Sequence, residues 1–155
     1  MWLGRIHSNV GMLTPDYIVG LVDGEGSFTV YVRNPDEKKR PKRRVVAEPR
    51  FYIKLVESDK KIFYELKKFF CCGNVYFQRD RRSNRQNCFR YEVWNRKSLT
   101  DVIIPFFEQH KPKLSSKRRD FEIFCDLMSR INRKEHLSEN GLRRIYRIKL
   151  KMHKH

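Results

Sequence analysis

The chain has 155 residues and a formal net charge of +17, because 35 lysines and arginines outnumber 18 aspartates and glutamates. A charge of this size repels itself unless a polyanion neutralises it, so the composition predicts one domain with a nucleic-acid partner. There is no apolar run of spanning length and no signal or lipidation motif at the first residues, so we expect an intracellular protein without a membrane partner.

Residues 1–13 are expected to form a loose lead-in, after which the first helix begins. Thr14 can cap this helix with its hydroxyl group, and Pro15 suits the first helical position. The helix must end within Asp23-Gly-Glu-Gly26, which places two carboxylates at the negative end of the helix dipole. A divalent metal ion would relieve this unfavourable arrangement of charge.

The same helix contains two glycines, Gly20 and Gly24, that lie four residues apart and therefore share one face. Neither has a side chain, so a second helix backbone can approach this face closely. No second copy of the stretch occurs in the sequence, and no linker divides the chain. We therefore expect a single domain over residues 14–150, followed by a basic tail at 151–155.

Alternation of apolar and polar residues predicts four strands in the first half of the chain. The first follows Gly26, the second covers about 45–55, the third follows Gly73-Asn74 and the fourth covers about 88–94. A helix of roughly 59–70, capped by Ser58, separates the second strand from the third. One face of each strand is apolar, including Phe77 of the third, so helices are expected to cover that face. The exposed face is predicted to carry Thr29, Tyr31, Arg33, Glu48, Arg50, Tyr52, Lys54, Tyr76, Gln78, Arg90 and Glu92.

Two strongly basic loops join neighbouring strands and extend this exposed face. Their cations are Lys38, Lys39, Arg40, Lys42, Arg43 and Arg44 in the first loop, and Arg81, Arg82 and Arg85 in the second. Phosphates are the natural targets of such loops, while the strands can read base edges, with arginine for guanine, glutamine for adenine and glutamate for cytosine. Charged loops and alternating strands are also ordinary features of a half-buried sheet, and the pattern alone leaves that alternative open.

Three helices follow the strands. A short helix capped by Ser98 has Pro105 near its end, and a longer helix begins at Ser115 or Ser116. The last helix covers about 139–150, and the tail that begins at Lys149 is expected to fray.

The stretch Ile18-Val-Gly-Leu-Val-Asp-Gly-Glu-Gly26 resembles the signature of the LAGLIDADG homing endonucleases. The resemblance continues, at the family's spacing, through Phe51-Tyr-Ile-Lys, Gly73-Asn-Val-Tyr76, Ile103-Ile-Pro-Phe-Phe107 and Ser116-Lys-Arg-Arg-Asp-Phe121. It implies an α+β fold of the αββαββα type, in which an antiparallel four-stranded saddle sheet lies in the DNA major groove. Helices cover the apolar face of that sheet.

The resemblance also implies a function and an assembly. Members of the family make a site-specific double-strand cut in a long DNA target, and members with a single signature act as homodimers on partly palindromic sites. One signature here therefore implies a homodimer, whose interface residues would be Ile18, Gly20, Leu21 and Gly24.

Site residues are implied by position in the family pattern. Glu25 matches the catalytic, metal-binding acid, the carbonyl group of Gly24 matches a second ligand, and Lys117 matches a lysine that helps to order the attacking water. The expected metal ion is Mg²⁺, although Mn²⁺ or Ca²⁺ can occupy such a site. Asp23 is either an accessory acid or a hydrogen-bonding group at the helix end. Leu55 and Asp59 replace a glutamine and an arginine of the family pattern, which leaves the rest of the water-ordering pocket unassigned.

Two other functions are compatible with the same scaffold. An RNA maturase, which assists intron splicing, would have the same attraction to phosphates. A DNA-binding protein that has lost catalysis would keep the fold, although the intact Asp23-Gly-Glu25 stretch argues against it.

Overall fold

The computed structural model describes residues 13–37, 46–79 and 86–154. Within these ranges the helices and strands are α1 (Pro15–Glu25), β1 (Gly26–Val32), β2 (Ala47–Val56), α2 (Lys61–Phe70), β3 (Asn74–Gln78), β4 (Cys88–Val93), α3 (Arg96–Ser98), α4 (Ile104–Gln109), α5 (Ser115–Asn132) and α6 (Glu139–Lys149). A π turn at Leu99–Ile103 joins α3 to α4, and 3-10 turns occupy Glu57–Asp59 and Glu135–Leu137. Residues 1–12 of the predicted lead-in, the predicted DNA-contacting residues Lys38, Lys39, Arg40, Lys42, Arg43, Arg44, Arg81, Arg82 and Arg85, and residue 155 of the predicted tail lie outside the described residues.

Helix α1 begins and ends where the sequence predicts. The Thr14 hydroxyl accepts a hydrogen bond from the Tyr17 backbone N–H at 3.2 Å, and Pro15 occupies the first turn. At its other end the helix passes directly into β1 through Gly26. A Cβ atom at Gly26 would lie only 2.7 Å from the Val22 side chain, so this tight junction requires glycine.

The four strands form one antiparallel sheet in the order β1-β2-β4-β3. Phe28 of β1 lies opposite Phe51 of β2, and Phe51 lies opposite Val93 of β4, so apolar side chains of neighbouring strands share one face. Helices cover this face, which confirms the predicted α+β class. The other face of the sheet is not covered by any helix of the described chain, so it is available to solvent.

Aromatic side chains dominate the core between the sheet and the helices. The Phe28 ring lies 5.1 Å from that of Phe51, 5.2 Å from Phe107, 5.0 Å from Phe121 and 5.6 Å from Phe124, measured between ring centroids. Loss of such a fully buried ring typically costs about 3–5 kcal/mol. This cluster fixes β1, β2, α4 and α5 against one another, and through them the position of the α1–β1 junction.

Two predicted helix caps are wrong. Helix α2 starts at Lys61, after the 3-10 turn, and the Ser58 hydroxyl donates to Asp59 Oδ1 instead of capping the helix. Helix α3 is capped by Asn95, whose Oδ1 accepts from the Ser98 backbone N–H at 3.0 Å. Asparagine and serine cap helices about equally well, so the identity of the cap depends on where β4 ends and α3 begins.

Two other predictions are also wrong, namely that the tail frays and that helices cover Phe77. Met152 is buried, and the His153 backbone N–H donates to Oδ1 of Asp120 on α5 at 2.9 Å, so the tail is held against the domain at these two residues. The His153 ring nitrogen Nδ1 lies 2.9 Å from the other carboxylate oxygen of Asp120.

Phe77 is exposed because β3 is an edge strand, and its ring contacts Phe89 alone among the described aromatic rings, at 5.4 Å. Of the helices in the described ranges, none is both long and apolar enough to cross a bilayer.

Candidate metal and nucleic-acid site

Glu25 is the last residue of α1, and its side chain is exposed. Among the described residues, no side chain or backbone group hydrogen-bonds or pairs with its carboxylate, and the last turn of α1 contains no basic residue. The carboxylate therefore meets the negative end of the helix dipole without local compensation. A cation supplied from outside would be stabilised at this position.

Asp23 has a different environment, although it lies only two residues away. Both of its carboxylate oxygens accept from the Lys113 backbone N–H, at 3.2 and 3.0 Å, and one also accepts from the Leu114 N–H at 3.4 Å. These amides immediately precede α5, so Asp23 ties the start of α5 to the end of α1. Of the two roles predicted for Asp23, hydrogen bonding at the helix end is the one for which the structure provides partners.

Lys117 lies in the first turn of α5, and its ammonium group donates a hydrogen bond to the carbonyl oxygen of Gly26. Gly26 follows Glu25 directly, so Lys117 contacts the backbone of the residue next to the predicted catalytic acid. Two independent contacts, from Asp23 and from Lys117, therefore fix α5 against the α1–β1 junction. The ammonium group therefore lies at the backbone of the α1–β1 junction, where it binds a carbonyl oxygen rather than the Glu25 carboxylate.

One face of α1 lacks a partner within the described parts of the chain. Tyr17 is 52% exposed, Gly20 and Gly24 are exposed, and Leu21 is half-buried. A Cβ atom placed on Gly20 or Gly24 would have no described neighbour within 4 Å. Ile18 is fully buried in the chain's own core, so its prediction as an interface residue is wrong. The helical period explains this, because Ile18 lies on the face with Val22, and Tyr17 lies on the face with the glycines.

The open face of the sheet collects most of the predicted base-contacting residues that the structure describes. At its centre is a concave depression of about 420 Å³, lined by Glu48, Arg50, Tyr76, Gln78, Arg90, Glu92 and Trp94. Trp94 was missed, although it continues the alternation of Arg90 and Glu92 one step beyond the end of β4. Thr29, Tyr31, Arg33, Tyr52 and Lys54 are half-buried or exposed at alternate positions of β1 and β2 and just after β1, as predicted.

Glu92 is the exception, because it is only 4% exposed and its predicted exposure is wrong. Its Oε1 accepts from Arg50 Nη1 at 2.9 Å, and its Oε2 accepts from Arg90 Nη1 at 2.9 Å. Glu48 also binds the Arg50 guanidinium, at 3.1 Å from Nε. Burial alone would lower the pKa of Arg50, but hydrogen bonding to Glu48 and the charges of Glu92 and Glu48 outweigh it and raise that pKa. The open face thus has a charged network at its centre.

Comparison with known proteins gives the family. The family model described as LAGLIDADG endonuclease matches residues 18–128. The chain therefore belongs to the LAGLIDADG endonuclease family. Over 134 residues it is 31% identical to the probable intron-encoded endonuclease 3 of Neurospora crassa, an alignment that covers 86% of this chain and 23% of that protein. The chain thus spans about a quarter of this relative.

Solved structures confirm the predicted LAGLIDADG fold. The crystal structure of the homing endonuclease I-TnaI matches with a TM-score of 0.73 and 33% identity, and the match covers 92% of this chain and 90% of that one. The structure of I-SmaMI bound to its uncleaved DNA target in the presence of calcium ions matches with a TM-score of 0.75 and 28% identity. That match covers 91% of this chain but 45% of I-SmaMI, so the chain spans about half of the second protein.

Proposed function

We propose that this protein is a site-specific homing endonuclease that makes a metal-dependent double-strand cut in a long DNA target. The observation that carries the proposal is the environment of Glu25. Its carboxylate is exposed at the negative end of α1 and has no partner among the described residues, and Lys117 binds the carbonyl oxygen of the next residue, Gly26. Membership of the family and similarity to I-SmaMI, which was crystallised on DNA with calcium ions, support the same conclusion.

The residues at the α1–β1 junction fit a divalent cation. Glu25 would hold it with a carboxylate oxygen and Gly24 with its backbone carbonyl, both of which are oxygen ligands that Mg²⁺ prefers. When bound, such an ion neutralises charge on the scissile phosphate and makes a water molecule nucleophilic. No group of three potential acidic, histidine or cysteine ligands occurs among the described residues, so one chain would supply only part of the coordination shell.

Lys117 would act near this ion and would not be one of its ligands. Its ammonium group binds the Gly26 carbonyl, so it would keep a positive charge at the α1–β1 junction, where the phosphate is proposed to bind. Such a charge can stabilise the negative phosphate oxygens and orient the attacking water. Asp23 would contribute by holding α5, and therefore Lys117, in position.

The proposed assembly is a homodimer in which two α1 helices meet at the faces that carry Tyr17, Gly20, Leu21 and Gly24. Gly20 and Gly24 would let the helix backbones approach closely, and Tyr17 and Leu21 would bury their exposed apolar surface. The two-fold axis would then bring two Glu25 carboxylates together, one for each DNA strand, over a partly palindromic target.

The open sheet face is proposed to lie in the major groove of double-stranded DNA. Arg50, Arg90 and Gln78 line its central depression and can form paired hydrogen bonds with guanine and adenine edges. The predicted basic loops, which follow β1 and β3 in the sequence, would bind phosphates and set the salt dependence of binding.

Cleavage-site selection from a randomised DNA library tests this proposal. The purified chain is incubated with the library with and without Mg²⁺, and cut ends are sequenced. The proposal expects one enriched, partly symmetric site that is cut on both strands only when Mg²⁺ is present. Binding without cutting would identify a non-catalytic DNA-binding protein, and splicing stimulation of an intron RNA without DNA cleavage would identify a maturase.

A further inference from the structure

Two arginines on neighbouring strands share one buried carboxylate at the centre of the open sheet face. Glu92 of β4 lies directly opposite Tyr52 of β2 in the strand register, and Arg50 and Arg90 lie two residues away from these positions on their respective strands. Glu92 uses one oxygen for each arginine, both at 2.9 Å. It is therefore the link between the two guanidinium groups.

Burial distinguishes Glu92 from the residues around it. Its side chain is 6% exposed, whereas those of Arg50 and Arg90 are 30% and 21% exposed. A base that approaches the depression meets the arginines first, because Glu92 lies beneath them. The buried charge is compensated by its two partners, which a direct contact with cytosine would displace at a large cost in desolvation.

Each arginine is also held by a second group. Glu48 binds Nε and Nη2 of Arg50, and the ring of Tyr52 lies 3.7 Å from the guanidinium carbon of Arg90. A guanidinium held on two sides has already lost much of its rotamer freedom before DNA arrives. Base recognition by such a group costs less entropy and tolerates fewer geometries.

We propose that Glu92 is a positioning residue for target recognition, which holds Arg50 and Arg90 in one geometry so that both discriminate their bases. The inference rests on the proposed function, in which the open sheet face reads DNA. It assigns no base contact to Glu92 itself, in contrast to the cytosine contact that its sequence pattern predicts.

The charge of Glu92 gives this role a distinctive signature. In a chain of net charge +17, a carboxylate beneath two arginines reduces their attraction to any phosphate. Its removal should therefore weaken discrimination between targets while strengthening binding to unrelated DNA. General damage to the fold would weaken both, so the opposite signs separate the two explanations.

The test compares Glu92→Gln with Glu122→Gln, which removes the same charge from an exposed position on α5 in the helical layer. Dissociation constants are measured without divalent metal for the selected target, for targets substituted at the guanines that Arg50 and Arg90 contact, and for an unrelated duplex. Glu92→Gln should lose about tenfold of discrimination at both guanines and bind the unrelated duplex more tightly. Glu122→Gln should keep the discrimination of the wild type.

A double-mutant cycle shows whether Glu92 acts through the arginines. In a background with both Arg50→Ala and Arg90→Ala, Glu92→Gln should have no further effect on discrimination. Glu92→Asp provides a second variant, because it keeps the charge but is too short to reach both arginines. It should lose discrimination without a gain in binding to unrelated DNA.

Three results would overturn the inference. They are equal discrimination by Glu92→Gln and Glu122→Gln, an undiminished effect of Glu92→Gln when both arginines are absent, and full discrimination by Glu92→Asp. In each case the wild type remains selective and the proposed function stands. A wild-type protein that prefers no sequence would instead reject the proposed function together with this inference.

Discussion

Glu25 and Glu92 are two carboxylates of the same chain in opposite environments. Glu25 is exposed at the end of α1 and has no partner among the residues the structure describes, whereas Glu92 is buried in the sheet and binds two arginines. An uncompensated carboxylate is suited to a ligand that arrives from outside. A fully compensated one can act only through the groups that it holds.

Loss of the exposed Glu25 carboxylate should have the greatest consequence for cleavage. Glu25→Gln keeps the size of the side chain but removes the charge that would hold the metal ion, so cleavage should fall by at least about a hundredfold. Binding of the selected target should stay near normal, because Glu25 lies outside the sheet depression. Cleavage is followed on a supercoiled plasmid that contains the selected site. Retained nicking by this variant would show that Glu25 does not hold the essential ion.

Asp23 combines features of both carboxylates, because it has hydrogen-bond partners, as Glu92 has, but lies two residues from Glu25. Asp23→Ala leaves the backbone N–H groups of Lys113 and Leu114 without their acceptor, and should lower the free energy of unfolding by about 2 kcal/mol. Urea denaturation measures this loss. Asp16→Ala, at the exposed start of α1, is the matched control and should cost less than about 1 kcal/mol. Equal losses for the two variants would mean that Asp23 does not tie α5 to α1.

Substitutions of Arg50 and Arg90, the two arginines that bind Glu92, are expected to affect DNA binding differently from substitutions in the basic loops. Arg50→Ala or Arg90→Ala should change base preference at one position by about tenfold. Lys39→Ala or Arg43→Ala, outside the described residues, should weaken binding to all sequences alike and reduce the salt slope by about one. Binding is measured against a panel of single-base variants at several salt concentrations. Uniform losses from all four substitutions would mean that the sheet does not read bases.

A substitution on the face of α1 that carries Gly20 should stabilise the monomer but weaken the dimer. Gly20→Ala should raise the free energy of unfolding of the monomer by up to about 1 kcal/mol, because its Cβ has open space and alanine favours a helix. The same methyl group should weaken the dimer by separating the paired helices, as sedimentation would show. Gly141→Ala is the control, since a Cβ there would lie 1.9 Å from the Glu135 carbonyl oxygen and should destabilise the fold. A dimer unaffected by Gly20→Ala would contradict the proposed interface.

A weaker effect is expected on the pH dependence of stability, and it involves His136 rather than Glu25 or Glu92. Burial, together with the nearby positive charge of Arg96, lowers the pKa of His136. The folded protein therefore keeps His136 neutral where the unfolded chain binds a proton, so the free energy of unfolding should decrease as the pH falls below about 6.5. His136→Gln should reduce this decrease, which denaturation at pH 7.5 and 5.5 would measure. An identical pH dependence in both proteins would exclude a contribution from His136.

Local signals predicted most of the fold and the position of Glu25. The cap at Thr14, the proline after it and the alternation through Phe28 and Val30 each act over a few residues, so they can be read without tertiary information. The predictions that were wrong concern residues that have partners distant in the sequence. His153 is held by Asp120 of α5, and Glu92 is buried because two strands place arginines above it. Arg90 is only two residues from Glu92, but Arg50 and Asp120 are distant in the sequence from Glu92 and His153, so the local pattern does not predict these two pairings.

In the proposed enzyme, two copies of one exposed glutamate meet across a two-fold axis and cut both strands. Native mass spectrometry, with Ca²⁺ in place of Mg²⁺, measures the mass of the intact complex between the 155-residue chain and a duplex of the selected site. Two chains are expected on each duplex. One chain per duplex, from a preparation that cuts both strands when Mg²⁺ is added, would exclude the proposed pair of glutamates.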